Sequence, residues 1–136
     1  MNILIDTSAF LAVLDKSDDR HHLAASTWSE IIQAGHNLIS HNYILVETSA
    51  VLMRRFGLEA VRVFVHNVIP ILRLLWVTRD IHEAAVAALL MAGRRELSLV
   101  DCVSFELMRR TGLRHAFAFD PHFAEFGYTL LPPSKP

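Results

Sequence analysis

Cysteine is almost absent from this chain of 136 residues: Cys102 stands alone, which excludes an internal disulfide and leaves no paired spacing for a zinc site. It reads as a small buried thiol. Long apolar runs are missing too, because charged or strongly polar residues break each one well short of the roughly 20 residues a membrane span needs. The start has no basic cluster, and Asp6 falls where a signal peptide would be apolar, so a cytoplasmic location is expected. Neither sign of charge dominates. A formal net charge of −1 argues against a chain that binds polyanions over its whole surface. Lysine is scarce, with Lys16 and Lys135 the only two among 13 basic residues. No internal repeat, low-complexity tract, linker or HExxH pattern is present.

What the chain does contain is apolar substance: 52% hydrophobic against 20% charged residues, enough for one domain with a genuine core. Residues 1–131 read as that domain and 132–136 as a Pro-rich tail. The mean hydropathy of +0.32 leans apolar for a small domain, which points to surface covered by a second subunit or a partner. The remaining basic residues are all Arg, several in pairs (Arg54-Arg55, Arg94-Arg95, Arg109-Arg110), and the guanidinium fork suits phosphate. A local basic rim on a neutral body would permit RNA binding, and ordinary surface ion pairs explain the pairs equally well.

Along the chain, short apolar runs alternate with helical patterns. Met1 to Ile5, Leu38-Ile39, Ile71 to Val77, His115 to Phe119 and Tyr128 to Leu131 read as strands. Thr7 or Ser8 is placed to cap a first helix, Asp18-Asp19 to open a second, and one helix from about Asn42 carries Glu47. A further helix runs from Leu58 to the stop at Pro70, another starts at Asp80, and Ser98 with Asp101 reads as a capping box. Strands separated by helices predict an α/β three-layer sandwich with a mostly parallel sheet, whose ligands lie beyond the carboxyl ends of the strands.

Four carboxylates then stand out. Asp6 follows Ile3-Leu4-Ile5, Asp120 follows Phe117-Ala118-Phe119, Glu47 interrupts Tyr43-Ile44-Leu45-Val46, and Asp101 follows Leu99-Val100. Acids beside core segments cost free energy unless paired or holding a cation. Each has an ordinary alternative: Asp6 and Asp120 as turn residues, Asp101 as a capping acid, Glu47 as an accident on a helix stripe with Tyr43, Ile44, Ala50 and Val51. Asp6 and Asp120 both sit at strand ends and should enter the same crevice. Gathered by the fold, the four would suit a hard divalent cation, Mg²⁺ or Mn²⁺. Most histidines are expected on the surface or in loops, and Ser104, on the face of Asp101, is placed to support it.

The segments Ile3-Leu4-Ile5-Asp6-Thr7-Ser8-Ala9-Phe10, Leu45-Val46-Glu47-Thr48, Leu97-Ser98-Leu99-Val100-Asp101 and Ala118-Phe119-Asp120-Pro121-His122-Phe123 resemble, in order and spacing, those of PIN-domain ribonucleases of the VapC toxin class. The resemblance spans essentially the whole chain. It implies a metal-dependent endoribonuclease with Asp6, Glu47 and Asp101 as the metal core, Asp120 as an outer ligand and Ser8 as a supporting hydroxyl. One or two Mg²⁺ ions, about 4 Å apart if two, would supply the water that attacks phosphorus in line. Arg54, about two turns beyond Glu47, becomes a candidate guide for the RNA backbone. A small cognate antitoxin, a homodimer, and helix surfaces around Trp28 and Tyr43 to Phe56 as contacts are further implications. Where the family often has Thr or Ser two residues before the last acid, this chain has Ala118. Two other functions fit less of the pattern. A haloacid-dehalogenase-type phosphatase wants a second Asp two residues after Asp6, where Ser8 stands. A PIN-fold binding scaffold without catalysis has no need of four acids.

Overall fold

The computed structural model describes residues 1–133; the last three residues of the tail lie outside the described part. Five parallel strands form one sheet in the order β3-β2-β1-β4-β5. They are β1 (Asn2–Ile5), β2 (Asn37–His41), β3 (Arg73–Leu75), β4 (His115–Phe117) and β5 (Thr129–Leu131). Between them lie α1 (Thr7–Leu14), α2 (His21–Gln33), α3 (Asn42–Phe56), α4 (Leu58–Val63), α5 (Arg79–Ala92), α6 (Leu99–Thr111) and α7 (His122–Glu125). The sheet is wholly parallel, where the sequence predicts a mostly parallel one. Parallel strands buried on both faces read as continuous apolar runs, and Ile3, Leu4 and Ile5 are fully buried.

Strand order reverses beside β1. From β1 the chain moves outward to β2 and β3, then crosses back to β4 and β5 on the other side. Right-handed crossovers then place α1 to α4 on one face and α5 to α7 on the other. Phe10 packs edge-on against Phe64 and Trp28 on the first side, and Phe105 against Phe123 on the second. The point between β1 and β4, where the two halves diverge, opens a crevice at the carboxyl ends of both strands.

Several local expectations are corrected. Asp6, not Thr7 or Ser8, caps α1: its carboxylate accepts the Ser8 N–H at 3.2 Å. The helix α2 starts at His21 after Arg20, because Asp18 spends its carboxylate on the Arg20 N–H and side chain. The predicted Leu58–Pro70 helix is divided into α4, a π-helical turn Phe64–Val68 and a 3-10 turn Ile69–Ile71, with Pro70 inside the last. The helix α5 begins after Thr78, with Asp80 in its first turn. Gly57, at φ 88° and ψ −170°, takes an extended positive-φ conformation open chiefly to glycine, which lets α3 stop and α4 restart one residue later.

Candidate active site

Each acid reaches the crevice by a different local device. Asp6 extends β1 by one rung, its N–H bonded to the Phe117 carbonyl at 3.0 Å, so it leaves the sheet at the switch point. Its side chain is 5% exposed and accepts the Ser8 hydroxyl at 2.6 Å as well as the Ser8 N–H. Asp101 sits in the first turn of α6 in a complete capping box: Ser98 Oγ accepts its N–H and its Oδ2 accepts the Ser98 N–H, both at 3.0 Å. Capping and site geometry therefore coincide in one residue. Asp120 lies just past β4, with Oδ1 accepting the His122 N–H at 2.9 Å.

Glu47 is half-buried on α3. The buried row of that helix is Ile44, Thr48 and Leu52, while Ala50 is exposed, so Glu47 flanks the apolar stripe instead of standing in it. That position lets its carboxylate meet the cleft without being sealed in the core.

All four acids line a single cleft of about 320 Å³ together with Thr7, Ser8, Leu11, Asp18, Arg20, Arg55 and Ser98. Burial, and then the nearby charges of Asp101 and Asp120, push the Asp6 carboxyl up to about 7, against the opposing Ser8 hydrogen bonds. Asp101 is likewise held above the usual carboxylate range, by burial first and by Asp120 and Glu47 beside it. Carboxyls that raise one another in this way are those a cation would relieve. A larger concavity, about 530 Å³, lies at the opposite end of the sheet beside Asn37 and Arg73 and contains no carboxylate.

The tightest grouping differs from the expected core. Ligand atoms of Asp101, Asp120 and His122 all lie within 4.8 Å of one another. His122 Nδ1 is 2.7 Å from Asp120 Oδ1 but out of hydrogen-bonding alignment, and it is a buried nitrogen without a partner. A buried imidazole nitrogen left open beside two carboxylates fits a cation that accepts nitrogen and oxygen donors. Sequence reasoning set the histidines aside; the signal was His122 two residues after Asp120 on a short turn.

Ser8 joins the parts. Its Oγ donates to Asp6 and accepts the Phe119 N–H at 3.0 Å, tying the loop before Asp120 to the start of α1. That bond holds the Asp120 segment although Ala118 carries no hydroxyl. Ser104 does not reach the acids; it is buried and bonds His41 Nε2 at 2.8 Å, linking α6 to the cap of α3. Arg54 is exposed and outside the cleft lining, whereas its neighbour Arg55 is in it.

A wholly parallel sheet of this order with carboxylates at its switch point defines a class, and residues 3–127 match the PIN domain. The chain belongs to the PIN-domain family. It is 33% identical over 132 residues, 96% of this chain and 98% of the relative, to the 23S rRNA-specific endonuclease VapC20 of Mycobacterium tuberculosis. The crystal structure of that protein, described as a Sarcin-Ricin loop cleaving toxin, superposes with a TM-score of 0.82 at 32% identity, covering 93% of this chain and 96% of that one. VapBC2 from Rickettsia felis, bound to a promoter DNA fragment, shares the fold at TM-score 0.70 and 10% identity, covering 96% and 97%. FitAcB from Neisseria gonorrhoeae does so at 0.69 and 13%, covering 98% of each chain. Among the described residues, no helix is long and apolar enough to cross a membrane.

Proposed function

We propose that the protein is an endoribonuclease of the VapC toxin class, dependent on Mg²⁺ or Mn²⁺, with its reaction centred on the carboxylate cleft. The observation that carries this reading is the convergence of Asp6, Glu47, Asp101 and Asp120, from four separate segments, on one cleft. The 33% identity to a 23S rRNA-specific endonuclease makes ribosomal RNA the substrate of choice, and a hairpin of the sarcin–ricin type the first target.

Asp101, Asp120 and His122 would hold the cation most closely, with Asp6 and Glu47 completing its surroundings. When bound, a divalent ion supplies a water of lowered pKa and neutralises charge at phosphorus. The chain's own contribution is placement. Ser8 orients Asp6 and anchors the Phe119 backbone; the capping box fixes Asp101, with Oδ2 on the Ser98 N–H and Oδ1 left for a ligand. With its pKa raised to about 7, the Asp6 carboxyl is partly protonated in neutral, metal-free protein, which limits repulsion among the acids until a cation enters.

A small antitoxin and a second copy of the chain are the proposed partners. Val46, Met53 and Phe56 are exposed along the outer face of α3, which supports a protein contact there, while Trp28 packs against the core instead. The test is cleavage of a 23S rRNA fragment spanning the sarcin–ricin loop. The wild type should cut it with Mg²⁺ or Mn²⁺ and stop with chelator, and Asp101→Asn should be inactive; equal cutting by both proteins would overturn the assignment.

A further inference from the structure

The cleft is not uniformly acidic. Of the chain's 11 arginines, two enter its lining, Arg20 from the turn before α2 and Arg55 from the last turn of α3. We propose that Arg20 and Arg55 form a phosphate clamp on the rim of this cleft, gripping the backbone of an RNA strand whose scissile phosphate lies at the acids. The inference rests on the ribonuclease reading and adds to it the residues that hold the substrate.

Arg20 is built into place. Its backbone N–H donates to Asp18 Oδ1 at 2.8 Å, and its Nε and Nη2 reach the two Asp18 oxygens at 3.2 and 3.3 Å. The guanidinium carbon stands 4.9 Å from the centre of the Phe119 ring, the residue before Asp120. The turn itself is tied down: Asp15 accepts the Ser17 N–H at 2.9 Å and its hydroxyl at 2.6 Å, and His21 Nδ1 lies 2.9 Å from the Ala12 carbonyl. A guanidinium has five N–H donors, and Asp18 engages two, which leaves donors for a phosphate in a fork already oriented.

Arg55 forms no ion pair with the described residues and is exposed, yet its charge is felt at Asp18, whose carboxyl is held below the usual range chiefly by Arg20 and further by Arg55. One carboxylate against two guanidiniums leaves this part of the lining net positive, in the same cleft as the four acids. An RNA backbone repeats negative charge at a spacing that lets one phosphate meet a cation on the acids while a neighbour meets the rim. Binding energy taken at the neighbouring phosphate orients the reacting one.

The alternative is that the arginines only offset repulsion among the acids, and it separates cleanly. Cleavage kinetics on the 23S rRNA fragment, salt dependence of binding to the same fragment in an Asp101→Asn background, and Mn²⁺ affinity by electron paramagnetic resonance are measured for Arg20→Ala, Arg55→Ala, Arg55→Lys and Arg54→Ala. The clamp predicts KM raised roughly tenfold by either cleft alanine with kcat within about twofold, and a log–log salt slope shallower by about 0.7–0.9 per arginine. Arg55→Lys should keep the slope, Arg54→Ala should leave KM unchanged, and Mn²⁺ affinity should stay constant throughout. Unchanged KM and slope in both cleft alanines, an equal effect from Arg54→Ala, or tighter Mn²⁺ binding without a KM change would overturn the clamp. A wild type that neither cuts the fragment nor binds Mn²⁺ would instead remove the ribonuclease reading beneath it.

Discussion

Strands β1 and β2 lie side by side, and at the end of each a buried ionisable residue caps the following helix: Asp6, just past β1, for α1, and His41, the last residue of β2, for α3. His41 is fully buried and completely occupied. Its Nδ1 accepts the Ile44 N–H at 3.3 Å, which makes Nε2–H the donor to Ser104 Oγ, and Ser104 in turn donates to the Val100 carbonyl. Burial drives its pKa down to about 3, so it stays neutral and costs nothing at working pH. Asp6, nearly as buried, is driven the other way, up to about 7. One strand end therefore carries a neutral imidazole bonded at both nitrogens, and the neighbouring one a hydrogen-bonded carboxyl that burial and nearby acids hold above its usual range. The difference separates a strand end that serves the structure from one that, on the proposed function, serves the chemistry.

That contrast can be broken in several ways. The largest effect should come from Asp6→Asn, which is expected to reduce cleavage by roughly a thousandfold, about 4 kcal/mol of transition-state stabilisation, while making the metal-free protein more stable at pH 8. His41→Ala should do the reverse. Losing a helix cap and stranding Ser104 in the core costs on the order of 3 kcal/mol in denaturant unfolding, and Mn²⁺ affinity of the folded fraction should hold.

The two residues also oppose each other in pH. A raised Asp6 stabilises fully below the unfolded value of 3.8, and that stability is lost as pH climbs to about 7. A depressed His41 contributes stability above the unfolded 6.5, lost as pH falls toward about 3. Each slope is about 1.4 kcal/mol per pH unit and their signs differ, so the two contributions should nearly cancel between pH 4 and 6.5 in metal-free wild type. Asp6→Asn should uncover a rise with pH, and His41→Ala a fall. Urea melts across that range check both. A smaller effect is expected from Ser98→Ala, which removes half the capping box: about 1 kcal/mol of stability and a tenfold weakening of Mn²⁺ binding through a looser Asp101.

Much of this was legible beforehand, and for identifiable reasons. Asp6 and Asp120 could be placed because apolar strand runs end at them and parallel sheets collect such ends at one crevice. Asp101 was legible as a cap and as a candidate site acid at once; it forms the capping box and also lines the cleft. His41 was not legible: Ser40-His41-Asn42 reads as a polar break, and only the packing of α6 against α3 shows that the imidazole is enclosed and capped on both nitrogens. Asp18 and Arg20 escaped because turn geometry, not periodicity, turns them toward the cleft. Arg54 was the natural choice by helical spacing from Glu47, and a shift of one residue, about 100° around the helix, places Arg55 there instead. The continuous helix expected from Leu58 failed because Pro70 does not stop an α-helix there but sits inside a 3-10 turn, after a π-helical turn that carries the buried Phe64 and Val68.

The most direct measurement is thermal unfolding of wild type and Asp6→Asn at pH 8, each with and without Mn²⁺. Without metal, Asp6→Asn should melt higher; with Mn²⁺ the order should invert, because only the wild type regains the energy of its crowded carboxylates. A lower melting temperature for metal-free Asp6→Asn, or equal stabilisation of both proteins by Mn²⁺, would contradict a cleft built to hold a cation.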